Sequence, residues 1–327
     1  MRIETSFGED WPWLTVLAAT IAVEMLWWVM TWSRGLAPLP FVFTHLLLAF
    51  GALAIVLAFR TLLRPKRARA ATPTILTAAM MVGIGASLFL PLKVAIPLQV
   101  PFWLDSPLMA AEHWLFGADP WFLLDRLLGW AAVPIDRLYG LWLPVQLLVL
   151  FAVILEPPSL AKSRALIAYS LAWLLLGVGA ATLFSSAGPL FFDRVFGGDQ
   201  FAVLRETLAA RDAWVALAES DRMWAAIGSG RPSLVAGISA FPSMHVAISV
   251  WIYLAARALV PRLALFALAY AMFIWIGSVQ LGWHYAADGL AGTVGMIAIW
   301  SLSRRCTTAL SKGLRSRGRR DRAPAGR

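Results

Sequence analysis

Charge is what this chain has least of. Asp, Glu, Lys and Arg make up only 14% of its 327 residues, against 60% apolar residues, where a soluble domain carries about 25% and about 45–50%. A water-soluble fold is excluded, and the chain reads as an integral membrane protein. Cysteine is scarcer still: the lone Cys306 excludes an intramolecular disulfide and makes redox chemistry an unsuitable reading. The N-terminus lacks the short apolar region and cleavage site of a removable signal, so the first apolar segment is expected to stay as an anchor. No soluble domain, repeat or low-complexity linker is visible. Histidine, the side chain that titrates near neutrality, occurs four times.

A helix needs about 20 apolar residues to cross a bilayer. Eight segments qualify, at about 11–32, 37–59, 73–92, 135–155, 165–184, 241–259, 263–281 and 284–303. The expected fold is all-α, a polytopic bundle of about eight transmembrane helices. It divides into two N-terminal helices with a basic loop (1–72), a six-helix core (73–303) and a basic tail (304–327). Between residues 93 and 134, Asp105, Glu112, Asp119 and Asp125 interrupt the apolar runs. With Trp103, Trp114, Trp121 and Trp130 beside them, an interfacial amphipathic helix is expected there. Segment 185–240 is the long polar stretch of the chain, with a short helix expected around 200–227. It runs straight into a histidine motif, which argues for a functional loop.

The net charge of +10 raises nucleic acid as a partner, but the excess falls in alternate short loops and in a tail without stacking aromatics. Arg60, Arg64, Lys66, Arg67 and Arg69, then Lys162 and Arg164, then Arg257 and Arg262, share one face with nine basic tail residues. The positive-inside rule places that face and both termini in the cytoplasm. Contact with anionic headgroups explains the tail. No nucleic-acid partner is expected. The expected location is the bacterial inner (plasma) membrane, with loops 93–134 and 185–240 on the extracytoplasmic side.

Two histidines open apolar segments on that extracytoplasmic side. In Phe241-Pro242-Ser243-Met244-His245, Pro suits the first helical position. The free N–H groups there, the helix dipole and the Ser243 hydroxyl form a phosphate cradle with His245 about one turn in. In Gly282-Trp283-His284-Tyr285-Ala286-Ala287-Asp288, the carboxylate four residues on can accept an imidazole N–H. That fixes the tautomer and leaves the other nitrogen as nucleophile or base. The plainer readings are a capped helix with an interfacial His, and an Asp that bridges helices for packing.

Together, in this order and about forty residues apart, the motifs resemble the P-S-x-H and H-x-x-x-D signatures of the type 2 phosphatidic acid phosphatase superfamily. The resemblance covers roughly residues 100–300 and implies a six-helix core with two extra N-terminal helices. It also implies that His284 attacks phosphorus to form a phosphohistidine, that Asp288 orients it, and that His245 protonates the departing alcohol. No metal and no cofactor are implied; the expected partners are membrane lipids, as a phospholipid or a polyprenyl or sphingolipid phosphate.

The chain departs from the commonest family pattern. Gly277-Ser278 stands where an S-R pair is usual, and no Lys stands seven residues before Arg231-Pro232 to complete a K-x6-R-P element. Phosphoryl transfer needs its oxygens neutralised, so Arg194 and Arg231 are the candidate replacements, with Ser243 and Ser278 as further phosphate-binding groups. The Gly188-Pro189 element, Phe241-Pro242-Ser243-Met244-His245 and His284-Tyr285-x-x-Asp288 resemble the branch of inositol phosphorylceramide synthases. That branch implies transfer of a phosphoryl-alcohol group between lipids as an alternative to hydrolysis. The rivals are a non-catalytic lipid-binding or transport protein on the same fold, and a proton-coupled transporter using Glu24, Asp136 and the histidines. His45 and His113 are expected to serve packing or the interface.

Overall fold

In lipid every backbone N–H and C=O must be paired within the protein, and a helix does this by itself. A computed structural model describes residues 4–63, 73–229 and 237–320, and each regular element among them is helical. The basic loop at 64–72 lies outside the described residues.

The elements are α1 (Glu4–Trp32), α2 (Val42–Leu63), α3 (Pro73–Gln99), α4 (Asp105–Phe116), α5 (Pro120–Leu128), α6 (Ala132–Tyr139) and α7 (Trp142–Ile154). They continue with α8 (Leu160–Ala172), α9 (Ala181–Leu183), α10 (Pro189–Phe196), α11 (Ala202–Ala210), α12 (Trp214–Ser229), α13 (Met244–Leu259), α14 (Ala264–Gln280) and α15 (Ala286–Arg320). A π-helical stretch, Trp173–Ala180, joins α8 to α9 in one span. Six helices among the described residues are long and apolar enough to cross a membrane. The pair Pro120–Tyr139 and Trp142–Ile154, bent by 48°, can make a seventh, and Met244–Leu259 is a shorter apolar helix. The polytopic helical bundle is therefore as expected.

Three stretches differ from the hydropathy reading. Helix α3 runs on past 92 to Gln99 and carries Lys93 inside the span. A lysine's four-carbon stem packs against apolar surface while only its head is polar. Residues 120–139 are not a free interfacial helix: α5 and α6 pack on α14. Their charges are satisfied, Asp125 by Arg211 (3.1 Å) and Asp136 by the Val215 and Ala216 N–H groups (2.8 Å each) that open α12. Among its described residues, segment 185–240 holds three helices where one was expected. Pro189 starts α10 and Gly197, at φ 77°, ends it, while Asp212, at φ 57°, separates α11 from α12.

Helix α13 is the hub of the core and packs on α8, α14 and α15. Its buried Trp251 donates its indole N–H to the Ala165 carbonyl of α8 at 2.7 Å. Helix α1 is pinned to α8 by a buried ion pair, Lys162 with Asp10 at 2.9 Å, and Trp13 donates to the same carboxylate. One close backbone approach joins α15 to the start of α13. At Gly292 a Cβ would lie 2.5 Å from the Ser243 carbonyl oxygen, so only glycine lets the two backbones approach this closely.

Gly292→Ala should therefore force the helices apart and destabilise the fold by about 1–3 kcal/mol. Gly51→Ala, whose added methyl meets nothing within 4 Å, should be neutral or slightly stabilising. Thermal melting of the detergent-solubilised variants compares them; equal midpoints would contradict the close approach.

Candidate active site

The first motif begins with Phe241 and Pro242 joined by a cis peptide bond. Ser243 is the N-cap of α13, and its hydroxyl accepts the Val246 N–H at 3.3 Å. The Ser243 N–H donates to the Asp288 carbonyl of the second motif at 3.0 Å. The two motifs are thus tied backbone to backbone.

His245, in the first turn of α13, is held on two sides by rings. Tyr139 stacks on it at 5.2 Å between centroids, and Trp142 lies at 4.2 Å while its indole N–H donates to the His245 carbonyl. The His284 ring meets that of His245 edge-on at 5.7 Å.

His284 precedes α15 instead of lying on it, because the helix starts at Ala286. Its N–H donates to the Ser278 carbonyl at 3.2 Å, and its Nδ1 lies 3.2 Å from the Asp288 carboxylate. The same carboxylate oxygen accepts the Tyr285 N–H at 3.0 Å. Asp288 therefore acts as the third residue of a capping box, reaching back to the N-cap, and orients the imidazole in the same move. Nε2 of His284 makes no hydrogen bond among the described residues. With His284 itself 5% exposed, that nitrogen is the free end of a fixed ring.

Helix α4 clamps the site with two carboxylates two turns apart. Asp105 accepts the Ser186 hydroxyl (3.0 Å), the Ala187 N–H (2.8 Å) and the Gly188 N–H (2.7 Å). The loop they form carries the Leu190 N–H, which donates to the Gly282 carbonyl at 2.9 Å, and the Ser186 carbonyl, which accepts the Ala240 N–H at 2.8 Å. Gly188, at φ 90°, passes so close to Trp283 that a Cβ would sit 2.6 Å from its carbonyl oxygen. Glu112 accepts the Ala287 N–H at 2.9 Å and so caps the first turn of α15. Sequence reasoning missed both acids as site residues; the available signal was two carboxylates seven apart in an apolar helix.

The expected phosphate-binding residues are spread out. Ser243 and Ser278 lie in the site, but the Ser278 hydroxyl donates to the Trp275 carbonyl at 2.7 Å and is fully buried. Arg194 turns to α12, where it pairs with Asp221, donates to the Ser220 carbonyl and lies over Trp224 at 5.9 Å. Arg231 lies outside the described residues. A cation that was not anticipated, Lys93 of α3, lays its stem against Gly237, in the loop that leads into the first motif. His45 bonds its own helix at Phe41, and His113 bonds Asp119 at 2.6 Å, so both serve local structure.

A family model described as the PAP2 superfamily matches residues 106–302. The chain belongs to that superfamily. Its members typically catalyse phosphoryl transfer or hydrolysis, and the matched stretch contains both histidine motifs and Glu112 of α4. No curated protein and no solved structure matches the chain.

Burial raises Glu112 from 4.5 to about 7; the Ala287 N–H opposes the shift, while Asp288 and Asp119 add to it. Between those values the folded protein holds a proton that the unfolded chain has released. This group's contribution is therefore most favourable below pH 4.5, declines as pH rises toward 7 and is flat above. Glu112→Gln keeps an acceptor for Ala287 and removes the titration. The melting temperature of the variant should lose the wild-type decline between about pH 5 and pH 7; parallel curves would contradict the assignment.

Proposed function

We propose that this protein is an integral-membrane enzyme that transfers or hydrolyses a phosphoester on a lipid at the extracytoplasmic face. The observation that carries the reading is the His284 ring, fixed by Asp288 at 3.2 Å with its Nε2 unbonded, opposite His245 at 5.7 Å. Membership of the PAP2 superfamily supports the reaction class.

The Nε2 lone pair of His284 attacks phosphorus in line with the ester oxygen. As the P–N bond forms, the P–O bond to the leaving alcohol breaks, and His245, as imidazolium, gives its proton to that oxygen. Neutral His245 then takes a proton from the incoming hydroxyl, which attacks phosphorus and releases His284. Asp288 holds Nδ1–H throughout and stabilises the positive charge that the phosphorylated ring carries. Water as acceptor gives a phosphatase; a lipid or polyol hydroxyl gives a transferase of the inositol phosphorylceramide synthase kind. The apolar helices α13, α14 and α15 that surround the pair suit a substrate whose reacting phosphate sits at the membrane surface and whose chains stay in the bilayer. The positive loops and tail support a cytoplasmic position for the opposite end of the bundle.

Purified protein in nanodiscs is assayed with phosphatidic acid, a polyprenyl diphosphate, and a phospholipid donor paired with ceramide or diacylglycerol. His284→Ala should lower turnover by about a thousandfold or more, and His245→Ala by about 10²–10⁴-fold. The His245 loss should shrink on a substrate with a good leaving group, because the acid is then dispensable. Full activity in His284→Ala would falsify the mechanism. Turnover of none of the lipids by the wild type would favour a lipid-binding protein on the same fold. Released inorganic phosphate, measured against newly formed phospholipid, separates hydrolysis from transfer.

A further inference from the structure

Helix α3 carries one charged residue in its 27, Lys93, and carries it inside the membrane-spanning stretch. A cation there is costly unless an anion or an aqueous cavity meets it. Among the described residues Lys93 makes no ion pair and no hydrogen bond. Its place is nonetheless tightly specified. Phe89, one turn earlier on the same face, meets Trp173 of the π-helical stretch edge-on at 4.7 Å. It also fills the space over Gly177, where a Cβ would lie 2.9 Å from the Phe89 ring and 3.5 Å from Met244. The π-helical stretch thus touches both α3, through Phe89, and the start of α13, through Met244.

One turn on, the Lys93 stem runs under the loop that leads into the first motif. A Cβ at Gly237 would stand 3.1 Å from the Lys93 Cγ and 3.2 Å from its carbonyl carbon, and Gly237 takes φ 101°, where a side chain is strained. Gly237 belongs to the described loop that runs into Ser243 and His245, so the stem lies against the approach to the first motif. The acids of the site meet other donors: Asp105 takes three, Glu112 takes the Ala287 N–H, and one oxygen of Asp288 takes His284 and Tyr285. Among the described residues Lys93 is thus a cation without an ion pair, its stem against the loop that enters the first motif.

We propose that Lys93 is a catalytic residue that binds a non-bridging oxygen of the phosphate between His245 and His284, and that it supplies from α3 the cation absent from the family's usual motif positions. The proposal rests on the phosphotransfer reading of the site. The substrate's negative charge compensates the buried ammonium, which is why Lys93 needs no protein partner. As charge spreads over the phosphoryl oxygens in the transition state, the fixed ammonium holds it without reorganisation. Arg194, whose guanidinium is occupied by Asp221 and Ser220, is then free to be structural.

Orthovanadate, a mimic of the transferring phosphoryl group, is the probe, titrated onto full-length protein in detergent by calorimetry and as an inhibitor of turnover. Wild type should bind it, Lys93→Met should bind it at least tenfold more weakly, and Lys93→Arg should stay within a few-fold of wild type. The unliganded melting temperature of Lys93→Met should equal or exceed that of wild type, since an uncompensated buried charge has been removed. A purely structural role would lower melting and leave vanadate affinity per folded molecule unchanged. Lys93→Met that binds vanadate within twofold of wild type, while His284→Ala abolishes turnover, overturns the Lys93 assignment alone. Wild type that neither binds vanadate nor turns over a lipid phosphate overturns the phosphotransfer reading and the assignment with it.

Discussion

The active region depends on one buried residue, Asp288, which uses its side chain and its backbone at once. Its carboxylate holds the imidazole of His284 and the N–H of Tyr285, while its carbonyl accepts the N–H of Ser243. The first two set the ring and begin α15; the third joins α15 to the N-cap of α13. A fully buried carboxylate away from water is expensive, and here hydrogen bonds to both a ring and a peptide group offset that expense. The close crossing at Gly292 follows from the same junction, since Ser243 can reach the Asp288 carbonyl only if nothing separates the two helices.

Around that junction the protein uses acids to shape backbone. Asp105 gathers the 186–188 turn, Glu112 caps α15 and Asp136 caps α12, each by accepting amide protons that the start of a helix or a tight turn leaves unpaired. Negative charge near helix N-termini is favourable, so carboxylates that look out of place in an apolar chain each have a structural task. The consequence is an acid-rich shell around the two histidines. Under the proposed phosphotransfer reading that shell calls for a cation, the role proposed for Lys93 of α3.

How much was legible depended on the distance over which each partner acts. The His284–Asp288 pair was legible because it is local, whereas the rings around His245 come from afar. Pro242, expected at the first helical position, instead precedes the Ser243 cap. The bundle was legible from apolar run length alone. What pairs across the chain was not: Asp105 meets residues 81 to 83 positions away, and Glu112 reaches Ala287 at a separation of 175. The same charges made 93–134 look unsuited to burial, although Asp105 and Glu112 of α4 are buried on amide partners and Asp125 of α5 pairs with Arg211. Lys93 ended a hydropathy window that the helix itself ignores, because hydropathy counts its ammonium and not its apolar stem. The three helices in 185–240 had signals in Gly188-Pro189, Gly197-Gly198 and Asp212, but short helices held by tertiary contacts have little periodicity to read.

The most direct measurement is covalent. Wild-type protein in nanodiscs is mixed with a lipid phosphate that it turns over, quenched within milliseconds at high pH, where phosphohistidine survives, digested and sequenced by mass spectrometry. Phosphate on the peptide containing His284, lost on mild acid treatment and absent from His284→Ala, is the predicted result. Turnover with no phosphorylated intermediate, or phosphate on a residue other than His284, would contradict the role assigned to the ring that Asp288 holds.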